Sequence, residues 1–238
     1  MAIVMARVGA SAADTTGTNT YQLAGRTPTG NRVVFWFVTA THGTAAEEPA
    51  TFTNAEISAT LIGSVLQDAA TRRTSIYWGI SPASPTSQVT DVVFTTAHTG
   101  CIITMLEDNG TLNQTLPWRN LTTNVGATNG TSLAVSMAGY AATANGVLVM
   151  IGHNGAASEH TNTGGAASNV TDLDANQRDM QTPGAWQKVG YAADNQASPG
   201  FTWTNSLARW GIAVELIADT GAVVGTSTSN RTTRRRRR

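Results

Sequence analysis

Apolar and polar positions along this chain keep the periods of β-strands almost throughout. Residues 31–38, Asn-Arg-Val-Val-Phe-Trp-Phe-Val, form a continuous β-branched and aromatic run that predicts a strand in the middle of a sheet. Residues 74–80 predict a second strand, which ends in a turn at Ser81-Pro82. Residues 88–95 hold Val89, Val92, Val93 and Phe94, and residues 101–106 run into Asp108-Asn109-Gly110, a strong turn signal. Residues 133–137 alternate with period two. Ala144-Asn145-Gly146 then turns the chain into an apolar strand over 147–151, which stops at His153-Asn154-Gly155. Shorter runs at 186–191 and 201–204 precede the last strand, 208–217.

One segment reads two ways. Ile57, Leu61, Ile62, Val65 and Leu66 fit a helical stripe, but Gly63 and four β-branched residues argue against it. Residues 156–183 lack an apolar run, and an irregular stretch of that length is usually functional or contact-forming. Nothing repeats at a fixed period. The expected fold is all-β, one sandwich or jelly roll with an arm at each end.

Composition changes this picture mainly at the C-terminus. Charged residues are 13% of the chain, about half the usual share. Thr, Ala, Gly, Asn and Ser dominate, so the surface is neutral and polar, which suits a molecule embedded in an assembly. The 15 basic and 15 acidic side chains are unevenly placed. Setting aside Arg231, Arg234, Arg235, Arg236, Arg237 and Arg238 leaves nine basic against 15 acidic, so residues 1–230 carry a formal −6. A basic tail on an acidic body favours docking between copies or on a partner protein over nucleic acid, whose binders spread basic residues across a folded face. A purification tag is a further source of such a tail.

Cys101 is the only cysteine, so no intrachain disulfide is possible, and its apolar neighbours predict a buried thiol. The first eight residues lack a secretory apolar region, and no run approaches a membrane span. Expected synthesis is therefore cytoplasmic and the product soluble. The six Asn-x-Thr sequons, at Asn109, Asn113, Asn120, Asn129, Asn169 and Asn230, follow from an Asn- and Thr-rich composition.

The order of segments resembles a known family. Gly30-Asn31-Arg32 leads into the apolar strand, and Arg73-Thr74-Ser75-Ile76-Tyr77-Trp78 ends at Ser81-Pro82. Gly146-Val147-Leu148-Val149 follows, and Ala208-Arg209-Trp210-Gly211-Ile212-Ala213-Val214-Glu215-Leu216 closes the pattern. This is similar to the jelly-roll domains of tailed-bacteriophage virion proteins, which also occur as lectin-like modules of bacterial surface proteins. The resemblance spans residues 20–218 and implies an N-terminal arm at 1–19, one jelly-roll sandwich at 20–218 and a C-terminal arm at 219–238. It turns the ambiguous segment into two short strands over 56–66. It implies a structural protein of the virion, with capsid decoration (a cement protein) as the commonest use. Expected partners are copies of itself, a trimer foremost, and the major capsid or another virion protein. Nucleic acid and membranes are not expected partners, and capsid and tail locations both stay open.

Catalytic chemistry has little support. His42, His98, His153 and His160 are scattered, and no nucleophile elbow, phosphate loop or zinc helix motif occurs. No enzyme activity, cofactor or resident metal is expected. Asp172-Leu173-Asp174-Ala175-Asn176 starts like a calcium loop, but Gln177 and Pro183 stand where the loop needs Gly and Glu. Trp36, Trp78 and Trp210 lie inside strands and read as core. Trp118, Trp186 and Trp203 lie beside prolines near loop ends. They are the candidates for stacking a sugar ring or packing at a subunit interface, the former giving a carbohydrate-binding alternative.

Overall fold

The chain's most apolar strand is placed where its composition demands. All nine residues of β4, Val33–Thr41, are buried, so it needs a strand on each edge and a layer on each face. The computed structural model describes residues 2–67, 69–137, 145–154, 170–173, 178–180, 185–193 and 196–219. In it β4 pairs antiparallel with β7, Arg72–Ile80, and with β9, Gly100–Asp108. Met5–Arg7 (β1) and Ala12–Asp14 (β2) pair with β9, and Thr60–Leu66 (β6) pairs with β7. Strand alternation then divides β4 between two cores. Val34, Trp36, Val38 and Ala40 meet Tyr21 and Leu23 of β3 (Thr18–Arg26) and Val92 and Phe94 of β8 (Gln88–His98). With β5 (Thr51–Asn54), those strands form a three-stranded sheet. Val33, Phe35 and Phe37 face the opposite way, toward the second half of the chain.

That second half repeats the plan. The wholly buried β12, Gly146–His153, lies between β15, Ala185–Ala192, and β17, Arg209–Leu216. Trp118–Val125 (β10) extends the sheet beyond β17, while Thr171–Asp172 (β13) and Arg178–Met180 (β14) pair with β15. Gly130–Ala134 (β11) and Gly200–Leu207 (β16) cover its outer face through Leu133, Phe201 and Trp203. The first half runs β1-β9-β4-β7-β6 against β3-β8-β5, and the second runs β10-β17-β12-β15-β13 against β11-β16. The five-strand paths of the two large sheets follow the same order, and β3-β8 matches β11-β16, while β5 has no counterpart among the described residues.

The described residues are thus all-β, without a helix, in four stacked sheets. Three expectations change. One sandwich over 20–218 is replaced by two like halves, because β4 and β12 are each buried on both faces and one sandwich offers each sheet only one covered face. The N-terminal arm at 1–19 is partly sheet, since β1 and β2 complete hydrogen bonding at the free edge of β9. The ambiguous segment is one strand, β6, with a register shift between Leu61 and Gly63, rather than two. Its helical stripe arises because Ile57 packs into one core while Ile62 and Val65 pack into the next. The Asp108-Asn109-Gly110 turn forms, with Asp108 accepting the N–H groups of Val33, Gly110 and Leu112 at 2.8–2.9 Å and Gly110 at φ 83.

Equivalent faces of the two halves meet in the central core. Amid its aliphatic side chains runs a buried polar chain. Ser11 Oγ lies 2.7 Å from Thr104 Oγ1, which accepts from Gln187 Nε2 at 2.8 Å. Gln187 Oε1 accepts from Thr39 Oγ1 at 2.5 Å, Thr39 lies 2.7 Å from Thr74 Oγ1, and Trp210 Nε1 donates to Thr74 at 2.9 Å. Sliding one sheet over the other would strand these groups without partners, so the chain fixes how the halves dock.

Candidate functional sites

The outer face of the second half carries a buried lysine and a buried histidine. Register places His153 opposite Trp186 on one edge and Arg209 on the other, with Lys188 opposite Ile151. His153 stacks on Trp186 with centroids 4.4 Å apart and lies 4.9 Å from the Trp203 ring. Lys188 is 1% exposed, with Nζ 2.8 Å from Asp172 Oδ2 and 5.2 Å from the Phe201 centroid. A carboxylate and an aromatic face together compensate the buried ammonium, so the group works as a brace. The corresponding face of the first half is built from Val34, Trp36, Val38, Tyr77, Ile103 and Met105.

This places the three loop-end tryptophans. Trp186 and Trp203, at 2% and 9% exposure, come together around His153 inside strands. Trp118 lies on β10, partly buried against the central core. Rings so covered offer little face for stacking a sugar. Sequence reasoning missed Lys188 altogether; a lone lysine within the Ala185–Ala192 apolar run was the available signal.

Two of the scattered histidines also meet. His42 and His98 lie edge to face with centroids 5.1 Å apart, at the end of β4 and of β8. Among the described residues no cluster of three or more His, Cys, Asp or Glu is arranged to hold a metal. His160, Asp174, Arg231 and Arg234 to Arg238 lie outside the described residues. Of the calcium-like pair only Asp172 is described, and it is occupied by Lys188.

Glu215 is a buried carboxylate that the sequence did not flag. Arg119 donates to it through Nε at 2.7 Å and Nη2 at 2.9 Å, Asn120 at 2.7 Å and Asn145 at 2.6 Å. A register shift between Arg119 and Thr122, with Asn120 at φ 52, aims both neighbouring side chains at one carboxylate. Burial raises the Glu215 pKa, but the Arg119, Asn145 and Asn120 hydrogen bonds and the Arg119 charge outweigh it and leave it below the ordinary value.

A shallow groove of about 230 Å³ is lined by Ser58, Thr60, Trp78, Gly79 and Ile80. Trp78 was expected in the core; it is half-buried, one side packed on the central cluster.

No protein-family model, curated protein or solved structure matches this chain.

The described ionisable clusters are engaged in holding strands together: Lys188 with Asp172, Glu215 with Arg119, and Glu48 with Arg73 at 3.2 Å.

Proposed function

We propose that this chain is a structural protein of a bacteriophage virion, a capsid decoration or cement protein built from two jelly-roll halves rather than one. The observation that carries this reading is the repeated strand path, mated through equivalent faces by a satisfied polar chain. Such a four-layer stack resists shear, and its buried charges brace the fold. The low-charge surface suits close contact with like subunits, in a homo-oligomer for which a trimer is the first expectation. The basic residues Arg231 and Arg234 to Arg238 dock on carboxylates of a neighbouring subunit or the major capsid protein, since arginine forms bidentate pairs with carboxylates.

Exposed pairs contribute at most about 1 kcal/mol each, so the docking is multivalent and salt-sensitive. Truncation after Asn230 is expected to weaken self-association and particle binding, measured by mass photometry and co-sedimentation, while far-UV circular dichroism stays unchanged. A full-length chain that stays monomeric at micromolar concentration and never sediments with particles would overturn the reading. Normal assembly of the truncated chain at low salt would remove the tail from it.

Carbohydrate binding is a second reading, and one observation favours it. The Trp78 groove joins a half-buried indole to the Ser58 and Thr60 side chains with no charged residue in its lining, as a neutral sugar ring requires. Oligosaccharides are then expected to quench tryptophan fluorescence in the unaltered protein and not in Trp78→Ala. Equal quenching in both would exclude this groove.

A further inference from the structure

The loop that leaves β4 is held by two histidine rings acting as acceptors. His42 Nδ1 accepts the N–H of Ala45 at 2.9 Å and of Thr44 at 3.1 Å. His98 Nε2 accepts the N–H of Glu47 at 3.1 Å. The other nitrogen of His98 lies 3.0 Å from the Thr96 carbonyl, which fixes the proton on Nδ1 and the lone pair on Nε2. His98 is fully buried, with Phe94 against its ring at 4.0 Å and His42 at 5.1 Å.

We propose that residues 42–48 form an acid-released strap, closed by the imidazole acceptors of His42 and His98 and freed when the buried His98 ring takes up a proton. Protonation at His98 Nε2 places a donor where the Glu47 N–H already points, so that bond becomes a clash of donors. It also places a charge on a ring that is fully buried.

The other charged groups around the rings are engaged. Glu47 Oε1 accepts from the Thr96 hydroxyl at 3.1 Å, while its Oε2 is buried with no hydrogen-bond partner among the described residues. Glu48 pairs with Arg73, whose Nε also donates to the Ala46 carbonyl at 3.1 Å. Arg72 turns to Gln67 and Thr71. The single Tyr21 O–H lies within reach of two carbonyls, His98 at 2.7 Å and Thr16 at 2.9 Å, and burial pushes its pKa up to about 12. Burial and the neighbouring His42 lower the His98 pKa, and the Thr96 carbonyl and Glu47 carboxylate only partly offset them. A lowered pKa in the closed state means that closure is favoured fully above the free imidazole value of about 6.5 and weakens as pH falls below it. Release frees the Thr44, Ala45 and Glu47 amides, while Ala46 and Glu48 remain tied to Ala70 and Arg73. This inference does not depend on the virion reading.

Amide hydrogen exchange on the full chain, corrected for intrinsic rates, tests it. Between about pH 7.5 and about pH 5, protection of Thr44, Ala45 and Glu47 is expected to fall at least about tenfold, while β4 amides keep theirs. In the double variant His42→Asn, His98→Gln, Asn Oδ1 and Gln Oε1 take the acceptor positions without titrating, and strap protection is expected to be flat with pH. Unchanged wild-type protection at the lower pH, or an equal loss in the double variant, would overturn the proposal. In the unaltered chain, ¹⁵N shifts give an independent reading: a strap that opens while the His98 imidazole stays neutral would also overturn it.

Discussion

Replacing Trp210 with alanine is expected to cost about 3–5 kcal/mol of folding stability, the range for removing a buried tryptophan. Trp210 is fully buried where the halves meet, within the same cluster as Phe35, Phe37, Met150 and Ile212. Its indole lies across Gly152, its partner on β12, where no room remains for a Cβ. Alanine leaves a cavity in two sheets at once, and neither can collapse without disturbing the Thr39–Gln187–Thr104 hydrogen bonds. Trp210→Phe keeps most of the volume and loses only the donor to Thr74, so its cost is about 1–2 kcal/mol. Urea unfolding followed by far-UV circular dichroism measures both. Equal losses for the two variants would mean that the hydrogen bond, not the packing, is what the indole supplies.

The strands that could be read in the sequence are those that announce burial by themselves. β4, β12 and β17 are apolar in nearly every position because each is covered on both faces, and each was expected close to its observed bounds. β3 was missed because only Tyr21 and Leu23 of its nine residues are buried, and seven polar or small residues look like a loop. β10 escaped for the same reason, since its Trp118, Leu121 and Val125 are spaced by polar residues along a sheet edge. The doubling of the fold was hidden more deeply. It lies in strand pairing, and equivalent positions differ in residue type: Thr39 stands between Ile102 and Thr74 in the first half, Gly152 between Trp210 and Gln187 in the second.

The polar sites were less legible because their partners come from distant segments. Thr39, Thr74 and Thr104 look like β-branched strand fillers until pairing brings Gln187 among them. His42 and His98 look unrelated until β4 and β8 end side by side. The Asp108 turn was legible as a turn because Gly110 and Leu112 lie close by in sequence, whereas its bond to Val33 was not.

Glu215→Gln is expected to destabilise the protein by about 1–3 kcal/mol at neutral pH and to flatten its loss of stability in acid. The carboxylate accepts four N–H donors from three residues, and an amide turns its own NH₂ toward some of them. Arg119 is partly exposed, at 45%, and so can rehydrate when the charge is removed; Asn145 is buried and cannot. That asymmetry keeps the cost below that of severing a fully buried ion pair. The sign of the pH effect follows from the lowered pKa of Glu215 in the folded chain. The unfolded carboxyl takes up its proton first as pH falls, so the stabilisation is complete above the ordinary glutamate value of about 4.3 and is lost below it. Thermal unfolding midpoints taken between about pH 7 and about pH 3 distinguish the two chains. The unaltered chain should lose its advantage over Glu215→Gln across the acid end of that range. A constant gap between the two midpoints would mean that the amide's cost is steric and that the carboxylate charge contributes nothing.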